Sequence, residues 1–158
     1  MTQFLGSHQN RRDAKGRVSI PAPFRAALRA ADAGVVSVVL RPSHTHPCVE
    51  AWPVDQFGQL ATPLDGMDVF GDEQQDLATS LYADAHLVES DREGRIVLPD
   101  DLVAHAGLGE AVIFMGLGRI FQVWEPQAAE RRRAEARART AERKLTLPGQ
   151  KLTGTPAT

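Results

Sequence analysis

Two nine-residue runs carry side chains able to hold a polyanion: Asp13-Ala14-Lys15-Gly16-Arg17-Val18-Ser19-Ile20-Pro21 and Asp91-Arg92-Glu93-Gly94-Arg95-Ile96-Val97-Leu98-Pro99. In each, the Asp (Asp13, Asp91) can accept nearby backbone N–H groups. The Gly three residues on (Gly16, Gly94) can take a positive φ, and the Arg is delivered to the root of a strand. Arginine suits bidentate contacts to phosphate or to a guanine edge, and lysine adds a point charge. Arg11 and Arg12 lead into the first turn, so Arg11, Arg12, Lys15 and Arg17 crowd it. Such crowding is repulsive unless something anionic visits. The plainer reading is that Arg17 pairs with Asp13 or another carboxylate and fixes the turn. The crowd of cations favours anion binding in the first copy; in the second, Glu89 and Glu93 stand beside Arg95 and favour the plainer reading.

Other candidate chemistry is sparse. His44-Thr45-His46-Pro47-Cys48 offers soft ligands at short spacing for zinc, with a fourth group needed, but the second copy has no counterpart and a polar hairpin loop is the default. His105 lacks a nucleophile or carboxylate partner in sequence. There is no phosphate-cradling Gly loop, Gly-x-Ser-x-Gly elbow or His-Glu-x-x-His helix. A non-enzyme without metal, cofactor or small-molecule substrate is expected.

The duplicated turns belong to a longer repeat. Val35-Val36-Ser37-Val38-Val39 answers Ala111-Val112-Ile113-Phe114-Met115, and Val49-Glu50-Ala51-Trp52 answers Phe121-Gln122-Val123-Trp124. The offset is 78 between Asp13 and Asp91 but 72 between Trp52 and Trp124, so the first copy holds six extra residues, expected near 31–34 and 43–47. Each copy reads as strand, helix, two strands, helix. Strands are expected at 18–20 and 96–98, stopped by Pro21 and Pro99. Helices follow at 23–28 and from Asp100, read as an N-cap, to Gly107 as the C′ residue. Strands at 35–40, 48–52, 111–115 and 120–124 come next, then helices at 54–60, 72–83 and from Gln127 onward. The implied organisation is a first unit over 7–54, connecting helices over 55–82, a second unit over 83–126, a basic helix over 127–147 and a disordered tail over 148–158.

With 158 residues, 42% of them hydrophobic, the chain can fill one compact core or two lean ones. A single cysteine, Cys48, excludes an internal disulfide and fits a reducing compartment. No basic n-region precedes an apolar run and no stretch approaches a membrane span, so a cytoplasmic protein is expected. The net charge of −2 hides three blocks: +5 over 1–30, −8 over 65–91 where no Lys or Arg occurs, and +4 over 126–144. A polyanion can therefore be attracted to particular faces of an acidic protein. Each block is also readable as a solvated face.

Gly6, the stretch from Asp13 to Arg25, the second Asp-x-x-Gly-Arg-x-x-x-Pro, Ala106-Gly107-Leu108 and Phe121-x-x-Trp124 resemble the MraZ family, two-copy members of the AbrB-like (SpoVT-AbrB) DNA-binding superfamily. The resemblance covers roughly residues 4 to 130. It implies an α+β fold of two tandem AbrB-like swapped-hairpin β-barrel units with short helices, related by a pseudo-twofold, and a homo-oligomer in ring form. It also implies a nucleoid-associated transcriptional regulator, usually repressive, that binds repeated boxes of double-stranded promoter DNA in its own division and cell-wall operon. By this resemblance Arg17 with Lys15 is the main DNA contact and Arg95 the matching position, with Arg11, Arg12 and Arg92 as flanking candidates. One departure is Arg12, where the family usually has an apolar residue: either the added cations strengthen phosphate binding or the strand begins differently. AbrB-like folds also serve as antitoxins that hold a partner protein, the main alternative; a small metal-dependent enzyme on His44, His46 and Cys48 is the other.

Overall fold

A computed structural model of the chain describes residues 3–28 and 34–148. The first half contains β1 (Ser7–Arg11), β2 (Arg17–Ser19), α1 (Ala22–Leu28), β3 (Ser37–Pro42), β4 (Val49–Trp52), α2 (Val54–Gly58) and α3 (Ala61–Asp65). Then come α4 (Asp72–Ala78), continued by a π-helical turn at Thr79–Ala83, and the second half with β5 (His86–Glu89), β6 (Arg95–Val97), α5 (Asp100–Ala106), β7 (Ala111–Gly116), β8 (Phe121–Trp124) and α6 (Pro126–Arg143). The fold is α+β with antiparallel pairing throughout.

The strand order explains how two lean halves become stable. Six strands form one sheet in the order β1-β7-β8-β4-β3-β5, and β2 pairs with β6 in a separate ribbon. Exchanging each strand with its repeat partner reverses that order onto itself, so a pseudo-twofold passes between β8 and β4. The resemblance implies a barrel unit in each half; the strands of the halves interleave, and every strand of the first half except β3 and β4, which also pair with each other, finds its neighbours in the second. Even β3 and β4 are flanked by β5 and β8. Neither half alone could cover its own strand edges or fill a core of useful size.

The core is correspondingly shared. Val18, Ile20, Phe24, Val38 and Leu40 of the first half pack in one cluster with Ile96, Leu98, Leu102, Phe114 and Phe121 of the second. Phe4, Phe24 and Phe121 form a triangle of rings with centroids 5.0–5.3 Å apart. Burying each such side chain stabilises by about 1.5–3 kcal/mol. A smaller cluster of Cys48, Met115, Trp124 and Ala129 seats α6 on the other side of the sheet.

Several sequence expectations need correction. Val39, not Ser37, occupies the β3 position matching Ile113 of β7, because both face their Trp across the hairpin. A two-residue slip keeps the inward–outward alternation of a strand, so the hydrophobic pattern could not detect it. Asp100 is the first residue of α5 rather than its cap; Pro99 holds the cap position without a side-chain bond, while Gly107 ends the helix in the left-handed region at φ 60°. Strands β1 and β5, the two sheet edges, receive no bounds from the sequence, and α3 lies inside the expected connecting helices over 55–82 without being marked there as a separate helix. The insertion near 31–34 falls largely outside the described residues, as do 149–158 of the tail. Among the described residues no helix is long and apolar enough to cross a membrane.

Candidate nucleic-acid interface

The two Asp-x-x-Gly-Arg turns lead into the strands of the β2–β6 ribbon. Its register sets Arg17 opposite Val97, Val18 opposite Ile96 and Ser19 opposite Arg95. Because side chains alternate along a strand and directly opposite residues share a face, Val18 and Ile96 point into the core, where each is 1% exposed. Arg17, Ser19, Arg95 and Val97 therefore share the outer face. The fold delivers both arginines diagonally across one two-stranded ribbon, an element that fits the DNA major groove.

Each turn is built the same way. The Asp13 carboxylate accepts the backbone N–H groups of Lys15 and Arg17, both at 2.9 Å, and the Arg17 Nε at 2.7 Å. Asp91 accepts the N–H groups of Glu93 and Arg95 at 2.9 Å and the Arg95 Nε at 2.8 Å. Gly16 and Gly94 sit at φ 77° and 81°, which favours glycine. The backbone N–H of Arg17 foremost, with the Arg17 side chain and the Lys15 N–H, holds Asp13 below the usual carboxylate value against partial desolvation. Asp91 is lowered by the corresponding groups, Arg95 N–H first. Its hydrogen bond in turn raises the Arg95 pKa, with a further contribution from Asp13 of the other turn.

The turns differ in what remains free. Arg95 also places Nη2 on Glu93 at 2.8 Å, so two carboxylates hold its guanidinium. Among the described residues Arg17 has only Asp13, through Nε, and both its Nη groups are without a hydrogen bond. Lys15 is exposed and forms no ion pair among those residues. Gly16 has open space around it, whereas Gly94 lies beneath Arg25, whose Nη1 donates to the Glu93 carbonyl at 2.6 Å.

The flanking cations are less crowded than the sequence suggests. Arg11 ends β1 and pairs with Glu110 at 3.1 Å, with both side chains largely exposed. Arg12 follows the strand; its Nε donates to the Gly109 carbonyl at 2.9 Å, which consumes a donor without neutralising the charge. Its backbone N–H donates to Glu110, as that of Ser90 donates to Val36 in the second copy. Arg92 is exposed within its turn. Sequence reasoning missed two supporting residues: Arg25, which covers the second turn from α1, and Asn10, whose Nδ2 donates to the Ser19 carbonyl at 2.6 Å and ties β2 to β1. The signal for Arg25 lay in the long-range pairing of the halves, and that for Asn10 in the packing of β1 beside β2 within the first half, rather than in any local motif.

The His-Cys loop is differently disposed. Cys48 is buried and burial pushes its thiol up to about 12, so it stays protonated at neutral pH. His46 is lowered by burial and then by Arg132. Its carbonyl lies 3.3 Å from His105 Nε2.

A family model described as "MraZ protein, putative antitoxin-like" matches residues 81–147. A protein of Gluconacetobacter diazotrophicus called "Transcriptional regulator MraZ" is 64% identical over 95% of this chain and 94% of its own length. Proteins of the same description from Gluconobacter oxydans and Rhodospirillum rubrum are 61% identical over 88% and 39% identical over 82% of this chain, covering 85% and 84% of their own lengths.

Proposed function

The chain belongs to the MraZ family, and from that premise we propose that it is a transcriptional regulator that binds double-stranded promoter DNA through the outer face of the β2–β6 ribbon. The observation carrying this reading is Arg17, anchored by one Nε–carboxylate bond and left with both Nη groups to donate. Anchoring limits the rotamer freedom lost on binding, and the free edge can meet phosphate or a guanine edge. Lys15 beside it adds a phosphate contact, and Arg95 is the weaker partner because Glu93 holds it. Arg12 and Arg92 supply the surrounding positive field, and Arg11, paired with Glu110 on the surface, joins it when DNA phosphate replaces that carboxylate.

In this reading the fold is a swapped-hairpin barrel shared between the two halves, and several chains assemble into a homo-oligomeric ring. The target is repeated boxes upstream of its own division and cell-wall operon, with a repressive outcome at the nucleoid. One ribbon per chain binds weakly; ribbons on a shared frame meet several boxes at high effective concentration. The "antitoxin-like" character of the matched family favours an alternative, in which the ribbon holds a partner protein.

A mobility shift with DNA from immediately upstream of the gene, against an unrelated duplex of equal length, tests the proposal. Preferential retardation of the upstream DNA is expected, and equal affinity for both duplexes contradicts it.

A further inference from the structure

A second charged feature lies away from the ribbon. Between α6 and the β1–β7 edge is a cleft of about 420 Å³ lined by His46, Met115, Leu117, Gln122, Arg132 and Arg133, with the β1 backbone closing it. No acidic residue lines it. Arg132 and Arg133 form no ion pair among the described residues, and the Gln122 Oε1 is already occupied by the Trp124 indole at 2.8 Å, which leaves its amide N–H₂ for the cleft. The cleft thus offers donors and positive charge above an apolar floor of Met115 and Leu117.

The complementary shape is on the same chain. Phe70 is 91% exposed and Val69 64%, a large apolar pair with nothing covering it, and Asp65, Asp68, Asp72, Glu73 and Asp76 surround it. This segment connects α3 to α4 and follows α2, which packs against β3, whereas α6 packs against β7. Since β3 and β7 lie on opposite sides of the pseudo-twofold, the acidic aromatic knob and the cationic cleft stand over different halves of the sheet.

We infer that residues 65–76 of one chain dock into the Arg132–Arg133 cleft of a second copy, Phe70 entering against Met115 and Leu117 while the acidic residues meet the two guanidiniums. The inference rests on the reading above that the chain assembles, and it names the contact. Knob and socket are different surfaces, so the contact is head-to-tail: each chain gives one and receives one, and repetition closes into a ring when the rotation permits. The aromatic supplies buried apolar area and the charges set partner and register. It also gives a use to the acidic run and to the Arg-rich start of α6, which the ribbon does not employ.

Light scattering of the full chain tests this, with Phe70→Ser, the double variant Arg132→Glu/Arg133→Glu, and an equimolar mixture of the two. All altered side chains are at least partly exposed, and circular dichroism checks that each variant is folded. The parent is expected to scatter as a multi-chain species and each variant as a single chain. The mixture is expected to form a two-chain species, because it retains one intact knob and one intact socket. Retention of the parent mass by either variant, or a mixture that stays single-chain, overturns the contact. A parent that is itself single-chain overturns both the contact and the assembly reading, while the DNA reading is judged separately by mobility shift.

Discussion

Glu50 and Gln122 stand directly opposite each other where β4 meets β8, and each accepts the indole N–H of the tryptophan two residues further on: Trp52 to Glu50 at 3.1 Å and Trp124 to Gln122 at 2.8 Å. They are repeat equivalents at the pseudo-twofold, one charged and one neutral. The difference is matched across each hairpin. Glu50 faces Arg41, whose Nη1 it accepts at 2.5 Å, while Gln122 faces Met115. One half of the molecule thus keeps a buried ion pair where the other has an uncharged couple.

Glu50→Gln alone leaves the fully buried Arg41 without its carboxylate and is expected to destabilise by about 3–5 kcal/mol. Arg41→Met combined with Glu50→Gln installs the second half's couple in the first and also removes the unpartnered buried Arg41 Nε. The double variant is expected to lie within about 1 kcal/mol of the parent. Urea denaturation of both variants checks this; a double variant no more stable than the single one contradicts the equivalence.

Three glycines are expected to rank by what an added methyl meets. At Gly116 a Cβ would lie 2.3 Å from the Phe4 carbonyl oxygen, a backbone atom that cannot swing away, so Gly116→Ala is expected to cost about 2–3 kcal/mol. Gly94→Ala adds displacement of the Arg25 side chain to the left-handed strain, whereas Gly16→Ala meets no atom within 4 Å and carries the strain alone, about 1–2 kcal/mol. Denaturation midpoints should fall furthest for Gly116→Ala and further for Gly94→Ala than for Gly16→Ala. Equal losses at 16 and 94 would show that Arg25 does not secure the second turn.

The turns should remain ionised well into acid. Asp13 and Asp91 are both held below the ordinary value of 3.8, chiefly by the backbone N–H groups of Arg17 and Arg95. A carboxylate whose folded pKa is depressed contributes stability that is present above its unfolded pKa and is lost as pH falls through the folded one. The loss therefore belongs below about pH 4. Carboxyl ¹³C titration by NMR is expected to place both groups under 3.8; a midpoint at or above it for either contradicts the turn geometry.

Much of this was legible in the sequence because turn chemistry is local. Asp13, Gly16, Asp91 and Gly94 announced their turns through residue type and spacing, and the Trp52 and Trp124 hairpins through apolar runs. Strands β1 and β5 were not legible: Ser7–Arg11 is polar, and its strand character comes from pairing with β7, about a hundred residues away. The same applies to Arg11 and Arg25, whose partners Glu110 and Glu93 lie in the other half. Their charges could be counted from the sequence, but their neutralisation or placement required the interleaved topology.

Lys15 is expected to act as a point charge on phosphate. Lys15→Ala should weaken binding to specific and unrelated DNA alike and reduce the slope of log affinity against log salt by about 1. Salt-dependent fluorescence anisotropy on both duplexes checks it, and a loss confined to the upstream DNA would instead assign Lys15 to base recognition.

The central claim is that the outer face of the ribbon, led by Arg17, grips operator DNA. Its most direct test is a comparison of parent, Arg17→Ala and Arg95→Ala on upstream DNA at matched salt, with assembly mass followed in parallel. Arg17→Ala is expected to lose about 10- to 100-fold in specific affinity with fold and mass unchanged, and Arg95→Ala to lose less because Glu93 already holds its Nη2. An Arg17→Ala protein that binds the upstream DNA as tightly as the parent contradicts the account.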